Sequence, residues 1–431
     1  MRVVVAGGGL AGLTAALRAT ELGARVTLLE KGDRPGGSFL LSSGYVWSYR
    51  DMATFRREAP GGDATLQKLI LDRLGLDWLE GVGGKLLSRE TGNPLTFGAR
   101  FDPESTVAAL VGRVRASGGE ILTNTALEAL TGDAGRITGV RTTENDEFAA
   151  DAVILASGGF AANPELVGRH IIQGPGRMPV RAHPRSTGDG FLAALERGAR
   201  ASAGLDEFYG RNLPAPPAEV SPEQFVEVSQ LYGRHAIAVN AHGERYADEG
   251  ADWSEMALTR ATVRQPGLYA WYVLDAAGLE GRVRERKARD MVETARSVGG
   301  TVLEASSLEG LADELGERGV PRDTVFLTLE GYNAAIASGA ETSPPRTGPP
   351  APLHLPPFVA VKVAPYITHT VGGLTVDAGC RVLQEVDAEP IPGLYAAGVE
   401  VGGVSVGGYT SGLASALVFG SIASESAVAD E

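Results

Sequence analysis

The chain has 431 residues, 43% of them hydrophobic and 21% charged, with a formal net charge of −14. That length asks for two domains rather than one, and the excess of acid argues against nucleic acid or an anionic membrane surface as partner. A single cysteine, Cys380, excludes an internal disulfide and any multi-cysteine metal or redox centre, and no metal site is expected.

Residues 2–6 form a β-branched run that leads straight into Gly7-Gly8-Gly9-Leu10-Ala11-Gly12, and a second apolar run, residues 25–29, ends at Glu30. The spacing predicts a strand, a glycine turn, a helix and a parallel strand within about 30 residues. Gly7 permits the tight turn, Gly9 lets a pyrophosphate approach the backbone, and Gly12 lets the helix lie close on the sheet. Unpaired N–H groups at the helix start favour phosphate, and Glu30 stands where ribose hydroxyls are accepted. The pattern predicts a dinucleotide-binding unit. With a strand beginning at the second residue, neither a signal peptide nor a bilayer-spanning apolar segment is expected, which points to the cytoplasm.

Further along, residues 104–117 have helical spacing and stop at Gly118-Gly119. Residues 120–123 read as a strand, 137–142 with 147–150 as a hairpin, and 151–156 as a buried strand ending in the tight turn Ser157-Gly158-Gly159. From 204 to 365 the texture changes. Helices expected over 281–297, 308–318 and 324–338 alternate with proline-rich loops, and 343–357 reads as an extended return linker. The strand-and-glycine style then resumes, and an amphipathic helix over 411–427 closes the chain. The economical fold class is α/β: a Rossmann-like dinucleotide-binding domain of residues 1–205 and 369–431, split by an inserted α+β cap of residues 206–368. No second glycine-rich βαβ unit for a nicotinamide cofactor is visible, so electrons are expected to pass to a separate acceptor or to oxygen.

Several blocks occur in one order along the chain: residues 3–12, Leu28-Leu29-Glu30-Lys31-Gly32, Pro35-Gly36-Gly37-Ser38, Ala156-Ser157-Gly158-Gly159-Phe160 and Ser186-Thr187-Gly188-Asp189-Gly190. They continue with Gly243-Glu244-Arg245-Tyr246-Ala247-Asp248-Glu249, His369-Thr370-Val371-Gly372-Gly373-Leu374, Pro392 to Gly398, and Gly407-Gly408-Tyr409-Thr410-Ser411-Gly412-Leu413. As a set they resemble the fumarate reductase/succinate dehydrogenase flavoprotein superfamily. The layout is nearer its tricarballylate-dehydrogenase-like and ketosteroid-dehydrogenase-like branches than its respiratory reductases.

The resemblance implies FAD in a glutathione-reductase-like βαβ domain, a capping domain, and hydride transfer between flavin and a carbon–carbon bond beside an electron-withdrawing group. Carried over residue by residue, Gly7, Gly9, Ala11 and Gly12 face the pyrophosphate and Glu30 holds the adenosine ribose. Ser38, Ser43 and Gly44 lie along the flavin, Gly37 is a further cofactor-binding candidate, and Ala126 or Leu127 offers backbone to adenine. Lys31, Ala156 and Gly158 belong to the matching blocks, Asp189 is a polar FAD contact, and Glu400 is a candidate for the ribityl chain. Thr410, Ser411 and Leu413 begin the last helix, whose dipole would point at the flavin. Covalent members attach FAD through a histidine after the glycine pair. Residues 38–43 here hold none, so non-covalent FAD is expected.

The resemblance breaks at the dicarboxylate clamp. The arginine expected before the last glycine pair is replaced by Ser405-Val406, the proton-delivering arginine falls on Trp253, and the relay positions fall near Ser229 and Tyr232. The histidine expected at 368 is Thr368, with His369 one place along. A twice-charged dicarboxylate would lose charge-assisted hydrogen bonds of about 1.5–3 kcal/mol each. A less charged, more aromatic pocket is expected instead, and the catalytic candidates are Tyr409, His369, Tyr232, Trp253 and Tyr209. The expected reaction is dehydrogenation, or the reverse reduction, of a C–C/C=C bond beside a carbonyl or carboxylate in a small organic substrate. Two alternatives stay open: a flavin oxidase acting on C–N or C–O bonds, and a non-catalytic FAD-binding electron carrier.

Overall fold

The computed structural model describes residues 1–133, 135–172, 176–251 and 256–430. The chain folds as two compact units, one of residues 1–171, 182–208 and 369–431 and the other of residues 172–181 and 209–368.

Val3, Val4 and Val5 are at most 3% exposed, as befits a strand covered on both faces of a parallel sheet. That strand, Arg2–Ala6, lies inside a six-stranded sheet in the order Arg381–Leu383, Pro390–Ala396, Ala152–Leu155, Arg2–Ala6, Arg25–Leu29, Glu120–Leu122. All neighbours are parallel except the outer pair Arg381–Leu383 and Pro390–Ala396. The helix Leu10–Glu21 and the last helix, Gly412–Ala429, pack on each other. Glycine lets them close: a Cβ on Gly420 would lie 2.6 Å from the Ala11 carbonyl oxygen. Glu425 ties the last helix to Arg18 at 3.2 Å and to Arg73 at 2.6 Å. Two small antiparallel sheets complete this unit: Tyr45–Tyr49 with Thr96–Phe101 and Leu86–Ser88, and Leu127–Asp133 with Arg136–Thr142 and Glu147–Ala149. The strand Leu127–Asp133 gave no alternating signal in the sequence.

The last helix differs from its expected amphipathic form. Ala414 through Gly420 are all buried, because alanine, serine and glycine let neighbours approach from every side. Against the expectation of no such segment, its 18 residues, with mean hydropathy 1.4, are long and apolar enough to cross a membrane by length and composition. A helix covered on all sides by its own protein has that composition too, and 61% of this one is buried.

In the second unit, Phe208–Pro214, Phe358–Thr370, Ala270–Leu274 and Ile237–Val239 form a sheet in that order, and Val302–Ala305 also pairs with Phe358–Thr370. Alternate side chains feed two apolar cores. Ile237, Trp271 and Val273 pack with Leu311, Leu315, Val325 and Leu329, while Ala238, Tyr272 and Leu274 pack with Tyr232, Leu258 and Met291. The helix expected from 281 starts only at Ala288. Before it, Arg282–Val283 and Arg286–Lys287 pair as a hairpin, and Arg284 takes φ 56°. The charged run 282–287 has no apolar stripe to hold a helix on the core.

Candidate cofactor and active site

Backbone crowding explains the glycine turn. Gly7 has φ +113° and a Cβ there would lie 2.3 Å from the Ala156 carbonyl oxygen; on Gly12 it would lie 1.8 Å from the Gly7 carbonyl oxygen. A Cβ on Gly9 meets nothing within 4 Å. Gly9 is the N-cap of Leu10–Glu21, which has neither a side-chain cap nor an acid in its first turn. An uncapped helix start facing open space at a residue without a side chain fits a pyrophosphate.

Glu30, 7% exposed, accepts from the Gly8 amide at 2.8 Å and the Gly32 amide at 2.5 Å. The backbone of Glu30 and Gly32 accepts from Thr125 and Asn124, which fixes Ala126 and Leu127 beside this acid. The Ala126 carbonyl already accepts from Thr143, and Leu127 opens its strand opposite Thr142. Lys31 Nζ reaches Asp189 at 2.9 Å and Thr187 Oγ1 at 2.7 Å, so Asp189 is held as an ion pair. Gly36 donates to the Gly8 carbonyl, which brings Gly37 against Gly9. Ser38 Oγ accepts from the His183 amide at 3.0 Å, the Ser43 carbonyl accepts from Arg100, and Gly44, at φ +78°, passes against the Phe101 carbonyl.

Glu400 is fully buried. Its Oε1 accepts from the Ser157 hydroxyl and from the Gly159 amide at 3.2 Å, which places Ala156 and Gly158 alongside. Burial pushes its carboxyl up, and the Ser157 and Gly159 bonds pull it back down. Glu400 Oε2, Thr370 Oγ1 and Thr410 Oγ1 are buried without a hydrogen-bond partner among the described residues. Buried polar atoms are normally paired. Together with the open space at Gly9 and the bare helix start, these orphan oxygens fit a dinucleotide with a polar chain.

The last helix is capped by Ser411, whose Oγ accepts from the Ala414 amide at 3.2 Å and donates to the Tyr45 carbonyl. Just before it, Tyr409 packs edge-on to Trp47, ring centroids 5.5 Å apart, and its carbonyl accepts from the Tyr49 hydroxyl at 2.8 Å. The His369 ring lies 6.3 Å from the Tyr409 ring, and its Nδ1 is 3.0 Å from the Thr370 carbonyl. A carbonyl only accepts, so Nδ1 carries a proton, and Nε2 is the ring's other nitrogen. A Cβ on Gly412 would lie 3.1 Å from that Nε2, so the imidazole looks toward the helix start, next to Leu413.

The second unit holds the other candidates. Tyr209 carries the Arg211 guanidinium 4.9 Å from its ring centroid. Tyr232 is 0% exposed among apolar core residues and its hydroxyl donates to Gln230 at 2.8 Å. Trp253 lies outside the described residues. Arg245 pairs with Glu249 at 2.7 Å, as Arg346 does at 3.1 Å, all three side chains nearly solvent-free. Sequence reasoning missed Arg346, 97 residues from its acid, and Glu207, whose carboxylate accepts from the Gly407 amide. Nothing in the wording Leu205-Asp206-Glu207 marks that acid.

The family described as "FAD binding domain" matches residues 81–417, and that described as "FAD dependent oxidoreductase" matches residues 2–159. A curated relative, NADH:fumarate oxidoreductase of Klebsiella pneumoniae (strain 342), is 27% identical over 99% of this chain, which spans 47% of that relative's length. Vinyl phenol reductase of Lactiplantibacillus plantarum is 26% identical over 93% of this chain and 90% of its own. The open conformation of a flavocytochrome c3 fumarate reductase superposes with a TM-score of 0.74 at 25% identity, covering 99% of this chain and 78% of that one. The cofactor is FAD, and the chain belongs to the FAD-binding flavoprotein family of oxidoreductases that includes the fumarate reductase/succinate dehydrogenase superfamily.

Proposed function

We propose that this protein dehydrogenates, or in reverse reduces, a carbon–carbon bond beside a carbonyl or carboxylate of a small organic substrate. The observation that carries this reading is the His369–Tyr409 pair at the start of the last helix, in the unit that also holds the dinucleotide turn. Bound FAD supplies a two-electron hydride acceptor or donor. His369 Nε2, or Tyr409 as its phenolate, takes the acidic proton next to the activating group, and the protonated group returns it in reduction. Trp47 and the Tyr49 hydroxyl hold Tyr409 in place.

The reading gives residues 206–368 the role of substrate cap, with Tyr209 as a lining residue. A substrate of low charge suits the uncharged Ser405-Val406 ahead of the last glycine pair. The relatives' names support the reaction type, since fumarate and vinyl phenols carry C=C bonds conjugated to a carboxylate or an aromatic ring. Non-covalent FAD is supported by the lack of histidine over residues 38–43, and colour left on the acid-precipitated chain would overturn it. Electrons leave to a separate acceptor or to oxygen. The reading places the protein in the cytoplasm, in keeping with its one buried thiol; cell fractionation tests that.

Anaerobic bleaching of the flavin by a panel of enones, saturated ketones and small acids tests the reaction. Tyr409→Phe and His369→Ala should each slow bleaching by about 10²-fold or more while FAD stays bound. Wild-type rates in both variants would sink the assignment. Stoichiometric hydrogen peroxide under air, with a C–N or C–O substrate, would favour an oxidase instead.

A further inference from the structure

Glu207 has no place in the mechanism above, yet it joins the two segments that carry it. Its carboxylate oxygens accept from the Gly407 amide at 2.9 and 3.1 Å. Its backbone carbonyl accepts from the Val371 amide at 3.0 Å. Gly407 lies two residues before Tyr409, and Val371 lies two residues after His369. One residue therefore anchors the approach to both rings.

The turn it holds is narrow. Gly407 has φ +79°, and a Cβ on Gly408 would sit 1.7 Å from the Glu58 carbonyl oxygen. Gly408 donates to the Ser405 carbonyl, closing a four-residue turn, while the Val406 and Val404 carbonyls accept from the Gly61 amide and the Gln67 side chain. On the 371 side, Gly403 donates to the Val371 carbonyl. Bonds from the 58–67 segment thus hold the turn at Val404 and Val406, and only Glu207 binds the amide of Gly407 itself among the hydrogen bonds described. A bond of an ionised acceptor to a backbone N–H is about twice as strong as a neutral one.

We propose that Glu207 is a positioning residue that sets the separation and tilt of Tyr409 and His369 through the Gly407 and Val371 amides. This rests on the role given to those two side chains under Proposed function. A shift of about 1 Å in such groups costs on the order of 10²-fold in rate. Glu207→Ala should retain FAD and slow anaerobic flavin bleaching by about 10- to 100-fold. Glu207→Gln, whose amide oxygen still accepts from Gly407, should recover most of that rate with the pH profile of the wild type.

Hydrogen exchange on the FAD-loaded full chain is read first, because it needs no substrate. Amides over residues 405–409 should exchange faster in the alanine variant and remain protected in the glutamine variant. Unchanged protection in Glu207→Ala, or a bleaching rate equal to wild type, would overturn the proposal. So would a glutamine variant as slow as alanine with a displaced pH profile, which would mean that the carboxylate itself handles the proton. Failure of every substrate to bleach the wild-type flavin would instead count against the reaction assigned above, with the exchange result still deciding the placement of Glu207.

Discussion

Glu249 and Glu400 are both buried carboxylates with side chains out of solvent, but their surroundings differ. Glu249, in the second unit, faces two guanidiniums, Arg245 and Arg346, and also accepts from the Ala238 amide at 2.9 Å. Arg245 and Arg346 are themselves bonded to the carbonyls of Pro344 and Ala236, so the donors of this cluster find acceptors within the protein. Glu400, in the first unit, has donors at Oε1, while Oε2 faces none among the described residues. In the first unit a Cβ on Gly9 would also meet none of the described atoms within 4 Å. One unit fills itself; the other is shaped around a group that it does not make.

The comparison is broken most sharply at Gly9. A Cβ there has room among the described residues, and a valine side chain would stand where a pyrophosphate is expected. We expect Gly9→Val to fold, with FAD affinity lowered by more than about 3 kcal/mol, over 100-fold. The protein should then purify colourless while the wild type is yellow. Normal flavin content in the variant would show that the open space at Gly9 is not the phosphate seat.

Glu249→Ala tests the other side. Removing the acid leaves two buried guanidiniums facing each other without their counter-charge, at a cost of about 3–5 kcal/mol. The second unit should lose stability in urea or thermal melts, whereas flavin content of the protein that remains folded should hold. A loss under about 1 kcal/mol would mean that water or rearrangement relieves the triad, and the self-filled description of this unit would fail.

These contrasts also show which features could be read from residues alone. The turn at Gly7, Gly9 and Gly12 was legible because its three glycines fall at fixed short spacing between two apolar runs, although the crowding at Gly7 comes from Ala156, far along the chain. An ion pair of Arg245 with Asp248 or Glu249 was legible within one short block, and the structure pairs Arg245 with Glu249. Arg346 was not, because the partner arrives from a proline-rich return segment with no period to report its direction. The burial of Tyr232 was not legible, since an aromatic outside a regular pattern does not say which face it takes; the structure packs it against Ala270–Leu274 and its neighbours. Glu400 entered through resemblance rather than spacing. Its burial depends on Pro390–Ala396 lying beside Ala152–Leu155, a pairing across more than 200 residues.

A smaller effect sharpens the division. Ser411 caps the last helix of the first unit through the Ala414 amide, and Ser307 caps Leu308–Gly316 of the second through the Gly310 amide at 3.0 Å. Alanine at either site removes one acceptor from a helix start, at about 1 kcal/mol of stability each. If the first unit's helix start also serves the flavin, Ser411→Ala should lower FAD retention as well, because the cap fixes where the first-turn amides point. Ser307→Ala should leave retention untouched. Equal flavin titrations of the two variants, with equal losses in the melt, would reduce Ser411 to an ordinary cap and remove it from the cofactor residues.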